Sequence, residues 1–468
     1  VSAEVFERVS AVNLGLSGFA EAIRDQGAPA VDVDWRPPAD GDPEAVALLT
    51  RLWGRHGRAV AEANAAAVAR IESARPRAVT VAPAREALPW LSEGRRLLHS
   101  GPPIAWDRVC DPQRRAMTAA VLFEGWAPTR EAAAELIAEG AVTLGSGNEH
   151  GHVGPMTGVC SPSMPVWVVE DADLGVRACS TLNEGPGDTL WFGVGGDEAV
   201  ARLRFFRDEA GPLLARLLAH CGPVDVFGMA AQGVQMGDEL HMRSQATGNL
   251  LLRHLAPGFA ALGGEGTARF LAGNHHFFLT LTMAAAKCAS LAAEGHAGST
   301  VVTLISRNGT DVGVQLAGLP GRWFTAEAAP VQDALLREGF TEDDAARDIG
   351  DSAVIECIGL GGMAVAAAPT VAAFFGGTAA DTARRVARMA EITVTRSQRF
   401  LLPSLDGAGT PVGIDARMVV ELGVTPQITT GVLHATSGAG QIGAGIAHQP
   451  VAPFRDALAG LAGALDAA

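Results

Sequence analysis

The stretch AQGVQMGDELHMRSQATGN, residues 231–249, gathers Asp238, Glu239, His241 and Arg243 among amide side chains. A histidine close to carboxylates suits proton transfer, because imidazole exchanges protons near neutral pH and a carboxylate can orient it. On a helix Asp238, His241 and Gln245 would share one face at i, i+3 and i+7. A charged surface helix reads similarly. The small or apolar filling of Gly233, Val234, Met236 and Gly237 tips the balance toward a buried polar network. His241 and Asp238 are therefore the acid–base candidates. Glu184 joins them from CSTLNEGPGDT, residues 179–189, where it and Asn183 sit on a glycine-rich turn that could rim a pocket. An ordinary β-turn fits that stretch as well.

Other residues read as holders of an anion. AGNHHFFLTLTMAAAKCAS, residues 272–290, opens on Asn274, expected as the N-cap of an apolar helix whose first amides face outward. Lys287 on that helix either snorkels to the surface or is buried against an anion. Arg307 begins the hairpin-like turn Arg307-Asn308-Gly309, and Arg322 stands beside Trp323 as a carboxylate fork with an aromatic wall. In GNEHGHVGPMTGVCSPSMP, residues 147–165, His150 and His152 would share a face of an extended segment. No neighbouring residue completes a coordination sphere, so no metal is expected; the reading is a loop whose histidines and amides, at Gly154 and Gly158, meet an anion. Gly440, within the glycines of residues 438–445, is a further backbone donor. DIGDSAVIECIGLGG places Asp351, Ser352 and Glu356 before a glycine run that either presents amides or packs closely.

The whole composition narrows the setting. The chain has 468 residues, 48% hydrophobic, with 51 acidic against 36 basic residues and net charge −15. No basic run appears, which excludes a nucleic-acid or anionic-membrane partner. Six cysteines without a C-x-x-C pair fit a reducing cytosol, and the opening residues lack a signal-peptide core, so a cytoplasmic protein is expected. There is no tyrosine, so phenolic chemistry is unavailable.

The elements that must position these residues divide into four. Residues 1–87 read as a Rossmann-like α/β unit: helix GFAEAIRDQG, strand APAVDVDW with Val31, Val33 and Trp35 facing away from Asp32 and Asp34, a long helix from Pro43 to about Ser73, and strand AVTVAP. It has no G-x-G-x-x-G, so no nucleotide site follows. Residues 88–140 read as a helical insert, 141–454 as an α+β body carrying the site, and 455–468 as a C-terminal helix. The uncharged residues 357–377 are long enough to span a bilayer, but their Gly, Ala and Pro369 point instead to a buried helix with a glycine-rich entry. The fold class is α/β and α+β, multidomain.

Many ordered blocks carry a family resemblance: NLGLSGFAEAIRDQGAPAVDVDWRPPA, VGPMTGVCSPSMPVWVVE, TLNEGPG, MGDELH, GNHHFF, RWFTA, DIGDSA, GGMAVAAAP and GIDARMVVELGVTPQITTG. Over nearly the whole chain they resemble the YlbE/YahG-like family. The resemblance implies an FdrA-like partner subunit, with room for a third subunit, in an oligomeric oxamate carbamoyltransferase. Such an enzyme phosphorolyses oxalurate, a small anionic ureido substrate of allantoin degradation, to oxamate and carbamoyl phosphate. It implies no cofactor beyond phosphate as co-substrate. Under that reading Arg307, Arg322 and Lys287 would hold the anions. Two alternatives stand beside it: a CoA-linked acyl or carbamoyl ligase or transferase subunit, and a non-catalytic scaffold subunit. One departure from the family pattern is Met242, which stands between His241 and Arg243 where the block MGDE is expected to continue His, Asn, Arg.

Overall fold

The computed structural model describes residues 10–33, 35–375 and 377–467; the opening residues 1–9 and Asp34 lie outside them. The first elements are β1 (Ala11–Leu14), α1 (Ser17–Asp25) and β2 (Ala30–Val33), with the two strands parallel. The Rossmann-like character is confined to this βαβ unit. The next strand, β3 (Arg77–Pro83), leaves it and pairs antiparallel with Pro165–Asp171, in a sheet that also holds Val176–Thr181 and Val224–Asp225. The expected long helix from Pro43 is two. The first, Pro43–Trp53, opens on Asp42, whose carboxylate accepts the amides of Glu44 and Ala45. It ends at Gly54, and a second helix, Gly57–Ser73, follows.

The helical stretch after residue 88 contains Asp111–Phe123 and Arg130–Ala138, the second capped by the Thr129 hydroxyl. It is threaded by a strand, Arg96–His99, which pairs in parallel with Thr143–Ser146. The body adds a four-stranded sheet ordered Leu319–Glu327, Asp311–Leu316, Val302–Asn308 and Ile349–Gly350, and a three-stranded one ordered Val331–Leu336, Gln441–His448 and Gln427–Leu433. The mixed architecture agrees with the expected fold class.

A buried helix, Leu279–Ala293, runs through the middle and packs on β3's sheet, on Gly57–Ser73 and on the short helix Val354–Cys357. Leu, Met and Ala favour the helix, and its alanines let neighbouring backbones approach. Asn274 is not its N-cap: it ends the preceding helix, Glu265–Gly273, and a turn intervenes. Residues 357–377 are buried as expected over most of their length, but as 3-10 turns (Gly361–Ala367, Pro369–Phe375) rather than one helix. Glycines at positive φ and Pro369 prevent a continuous α-helical ladder there. No helix among the described residues is long and apolar enough to cross a membrane.

Candidate active site

The MGDELH segment is a tight turn between the helices Val226–Gln235 and Gln245–Leu262, not a helical face. Gly237 and Leu240 both have positive φ, 102° and 75°; the second is uncommon for a bulky residue and marks local strain. Two buried carboxylates hold the turn. Glu239 Oε1 accepts the amides of His241, Met242 and Arg243. Asp238 accepts the amides of Ala246 and Thr247 at 3.1 and 2.8 Å and the Thr247 hydroxyl at 3.1 Å. Asp238 is thus occupied in capping the next helix, which removes it as the partner of His241. The partner is Glu356: its Oε1 lies 2.8 Å from His241 Nδ1 and also accepts the Gly362 amide at 3.0 Å. That carboxylate fixes which ring nitrogen carries the proton, and the other ring nitrogen has no partner among the described residues.

His241 lines a narrow chamber of about 50 Å³ together with Met156, Met242, Ser352 and Thr430. The chamber opens into a wider one of about 180 Å³, bounded by residues 185–188, Asn274, His275 and Arg337. Trp191, Phe192, His276 and Gln441 border both, so the two form one cleft. The two aromatic rings stack at 4.3 Å. The Ser352 hydroxyl and the Arg337 guanidinium have no hydrogen-bond or ion-pair partner among the described residues. The cleft therefore has an aromatic neck, an unspent cation at its mouth and a histidine–glutamate pair at its base. Such a geometry can hold a small anion and move a proton beside it.

Glu184 and Asn183 shape this cleft from behind, and Asn274 lines it. Glu184 is buried and accepts the amides of Leu190 and Trp191 at 2.8 and 3.1 Å, which seats the tryptophan. Asn183 Nδ2 donates to the His276 carbonyl at 2.9 Å, and Asn274 Oδ1 accepts the His276 amide at 3.1 Å. Burial pushes Glu184 and Glu239 up from 4.5 to about 7, and pushes His276 down to about 4. Desolvation penalises the charged form in each case. His276 is therefore a neutral group in the cleft wall.

The cations expected from sequence lie elsewhere. Arg307 is fully buried and forks onto Asp348 at 2.7 and 3.0 Å, with its third nitrogen on the Gly350 carbonyl. Its hydrogen-bonding capacity is spent inside the fold. Arg322 is exposed and lies over Phe324, against the C-terminal helix. Lys287 is buried rather than snorkelling; desolvation lowers its pKa, and it lines neither chamber.

The anion loop also closes on itself. Gly154 donates its amide to Asp351 at 2.9 Å and Gly158 donates to the Pro155 carbonyl at 2.9 Å. Their glycines serve close packing, since a Cβ on Gly154 would stand 2.6 Å from Gly158. His150 stacks on Trp90 at 4.5 Å; His152 is buried with neither ring nitrogen bonded, and burial lowers it to about 3. The two histidines do not converge. No cluster of three metal-ligating side chains occurs among the described residues. Gly440, at φ 76°, turns the hairpin loop beside Ala439 and Gln441 on the cleft's lip, and its carbonyl accepts from His434.

Sequence reasoning missed Arg337 altogether. It follows the strand Val331–Leu336 in an unremarked run, VQDALLREGF, and reaches the cleft because that strand pairs with Gln441–His448. Glu356 was visible beside Asp351 and Ser352, but nothing local tied it to a histidine 115 residues earlier.

This is the site of a mixed α/β protein with a histidine–carboxylate cleft, and its relatives place it in a family. The profile described as "Oxamate carbamoyltransferase subunit AllG" matches residues 142–352. The chain is 41% identical to the Escherichia coli K12 protein of that name, over 86% of this chain and 98% of the relative. It is 35% identical to the uncharacterized protein YahG of the same organism, over 97% of each chain. A crystal structure of a conserved protein of unknown function from Enterococcus faecalis V583 superposes with TM-score 0.84 and 36% identity, covering 86% of this chain and 98% of that one. The chain belongs to the AllG/YahG family, in agreement with the resemblance carried by its sequence blocks.

Proposed function

We propose that this chain is a subunit of a carbamoyltransferase, acting on oxalurate and phosphate to give oxamate and carbamoyl phosphate. The observation that carries this reading is the cleft with Arg337, which has no side-chain partner among the described residues, at its mouth and the His241–Glu356 pair at its base, in a chain whose relative is named as a subunit of that enzyme.

A phosphate oxygen attacks the ureido carbonyl carbon, the C–N bond to the oxamate nitrogen breaks, and that nitrogen takes a proton. His241 suits the proton transfer: it accepts from the attacking phosphate and delivers to the leaving nitrogen, with Glu356 stabilising the imidazolium between the two events. Arg337 at the mouth suits the substrate carboxylate, and Gln441 offers an amide at the neck. The aromatic neck excludes water, which would otherwise compete with phosphate for the carbonyl. Phosphate is the co-substrate in this reading, no further cofactor enters, and an FdrA-like subunit is the expected partner.

Carbamoyl phosphate formation, measured with and without an FdrA-like subunit, tests the proposal. Arg337→Ala should raise the KM for oxalurate by about ten- to a hundred-fold, since a hydrogen bond to a charged group is worth about 1.5–3 kcal/mol. His241→Ala should instead lower kcat by about 10²- to 10⁴-fold. Full turnover in both variants would place the reaction elsewhere, and a strict requirement for CoA would favour a ligase or transferase of acyl-CoA type.

A further inference from the structure

The two chambers of the cleft differ in charge as well as in width. Among the described residues no Asp, Glu, Lys or Arg lines the narrow one. Its apolar walls are Met156, Leu279 and Met242, and its polar groups include His241, Ser352 and Thr430. His241 adds no net positive charge, because Glu356 lies 2.8 Å from its Nδ1 and the pair sums to zero or to a single negative charge. The wider chamber holds Arg337 and, exposed at its rim, Asp188. A carboxylate pushed into the narrow chamber would meet no cation, and an unpaired buried charge is costly. An elongated substrate therefore leaves its anionic end in the wider chamber with Arg337 and sends its uncharged end into the narrow one.

Size sets a second limit. The narrow chamber offers about 50 Å³. A water needs roughly 10–15 Å³, so about three or four atoms of that size fill the chamber. Met156 and Gly431 bound the space between them. Met156 is buried at φ 52°, and a Cβ on Gly431 would stand 3.4 Å from the Met156 Cε methyl and 2.9 Å from Gln441 Nε2. The Met156 side chain thus reaches toward the strand Gln427–Leu433, and the room that remains beside it exists because residue 431 has no side chain.

We propose that the narrow chamber seats the terminal carbamoyl group of the substrate, and that Met156 and Gly431 restrict that end to an unsubstituted –NH2. The proposal rests on the carbamoyl-transfer reading above; it adds the direction in which the substrate lies and the residues that limit its size. A carbamoyl group is neutral and matches the space. The Ser352 hydroxyl, which has no partner among the described residues, can donate to its oxygen. Its carbon then faces the neck, where phosphate arrives from the wider chamber. A methyl on the terminal nitrogen would press on Met156 and the strand beyond it.

Calorimetric titration of the full chain, alone and mixed with an FdrA-like subunit, tests this with oxalurate and with oxalurate methylated on its terminal nitrogen. The wild type should bind the methylated compound about 10- to 200-fold more weakly, the usual cost of one misfitting methyl group. Met156→Ala should bring the two affinities close to parity, a ratio that loss of stability alone would not move. Gly431→Ala should weaken oxalurate itself by about tenfold or more, since the added methyl takes up room for one group. If Met156→Ala fails to fold, Gly431→Ala still decides. Equal affinities in the wild type overturn the proposal, as does an unchanged ratio in Met156→Ala together with wild-type affinity in Gly431→Ala. Absence of any oxalurate binding also overturns it. A parallel assay of carbamoyl phosphate separates the two ideas. Selective binding without that product supports the seating and sinks the reaction, whereas equal turnover of both compounds supports the reaction and sinks the seating.

Discussion

At the scale of single residues, the site depends on which carboxylate reaches which histidine. Three buried acids lie close to His241: Asp238 and Glu239 by sequence, Glu356 by folding. The first two are tied up by backbone amides, and only Glu356 touches the ring. Glu356→Gln keeps the shape and removes the charge. It should lower kcat by about a hundred-fold while leaving KM nearly unchanged, because the pair acts on the proton and not on substrate anchoring. Asp238→Asn should instead lower stability, by about 1–3 kcal/mol, since it weakens the amide cap of the following helix. Steady-state kinetics and urea denaturation on the two variants separate the roles. Equal kinetic losses would show that Asp238 shares the chemistry.

At the scale of elements, the pair exists because a glycine run permits it. Gly361 has φ 60° and donates its amide to the Glu239 carbonyl at 2.7 Å. A Cβ there would stand 2.2 Å from Glu356 Oε1. Gly361→Ala should therefore displace the carboxylate from His241. Its cost to stability should exceed about 1 kcal/mol, as expected for alanine at positive φ, and its kinetic loss should resemble that of Glu356→Gln. Gly463→Ala, in a helix with open space around the new methyl, is the control: it should leave the kinetics unchanged and raise stability by about 0.5–1 kcal/mol. Wild-type kinetics in Gly361→Ala would mean that the pair tolerates displacement. The glycine run thus serves close packing around a carboxylate, which is the second of the two readings its sequence allowed.

At the scale of the whole molecule, buried titratable groups set opposing pH trends. Burial raises Glu184 and Glu239 from 4.5 to about 7 and lowers His152 and His276 from 6.5 to about 3 and 4. Between pH 4.5 and 7 the folded chain keeps protons on the two glutamates that the unfolded chain releases. Their contribution to stability falls as pH rises. Between about pH 4 and 6.5 the unfolded chain takes up protons that the buried histidines refuse, so the histidine contribution rises with pH. From pH 4.5 to 6.5 the two trends oppose. Glu184→Gln with Glu239→Gln removes the first and leaves the second. Urea midpoints of the double variant should climb with pH over that interval more steeply than those of the wild type. Parallel profiles would refute the protonated glutamates.

The sequence by itself determined the family and the fold class. Ordered blocks spread over the chain carry the family, and alternation and helical periodicity depend only on local side-chain order. It also singled out His241, Asn183, Glu184 and Asn274, which the fold brings to the lining or the support of one cleft. It could not sort charged residues that are spent inside the fold from those left free. Arg307 read as an anion holder and is consumed by Asp348, while Arg337 had no distinguishing neighbours and stands at the cleft with no side-chain partner among the described residues. That distinction rests on partners far apart in the chain, as with Glu356 and His241. Local spacing carries no information about them, because only the packing of strands and the central helix brings them within hydrogen-bonding reach.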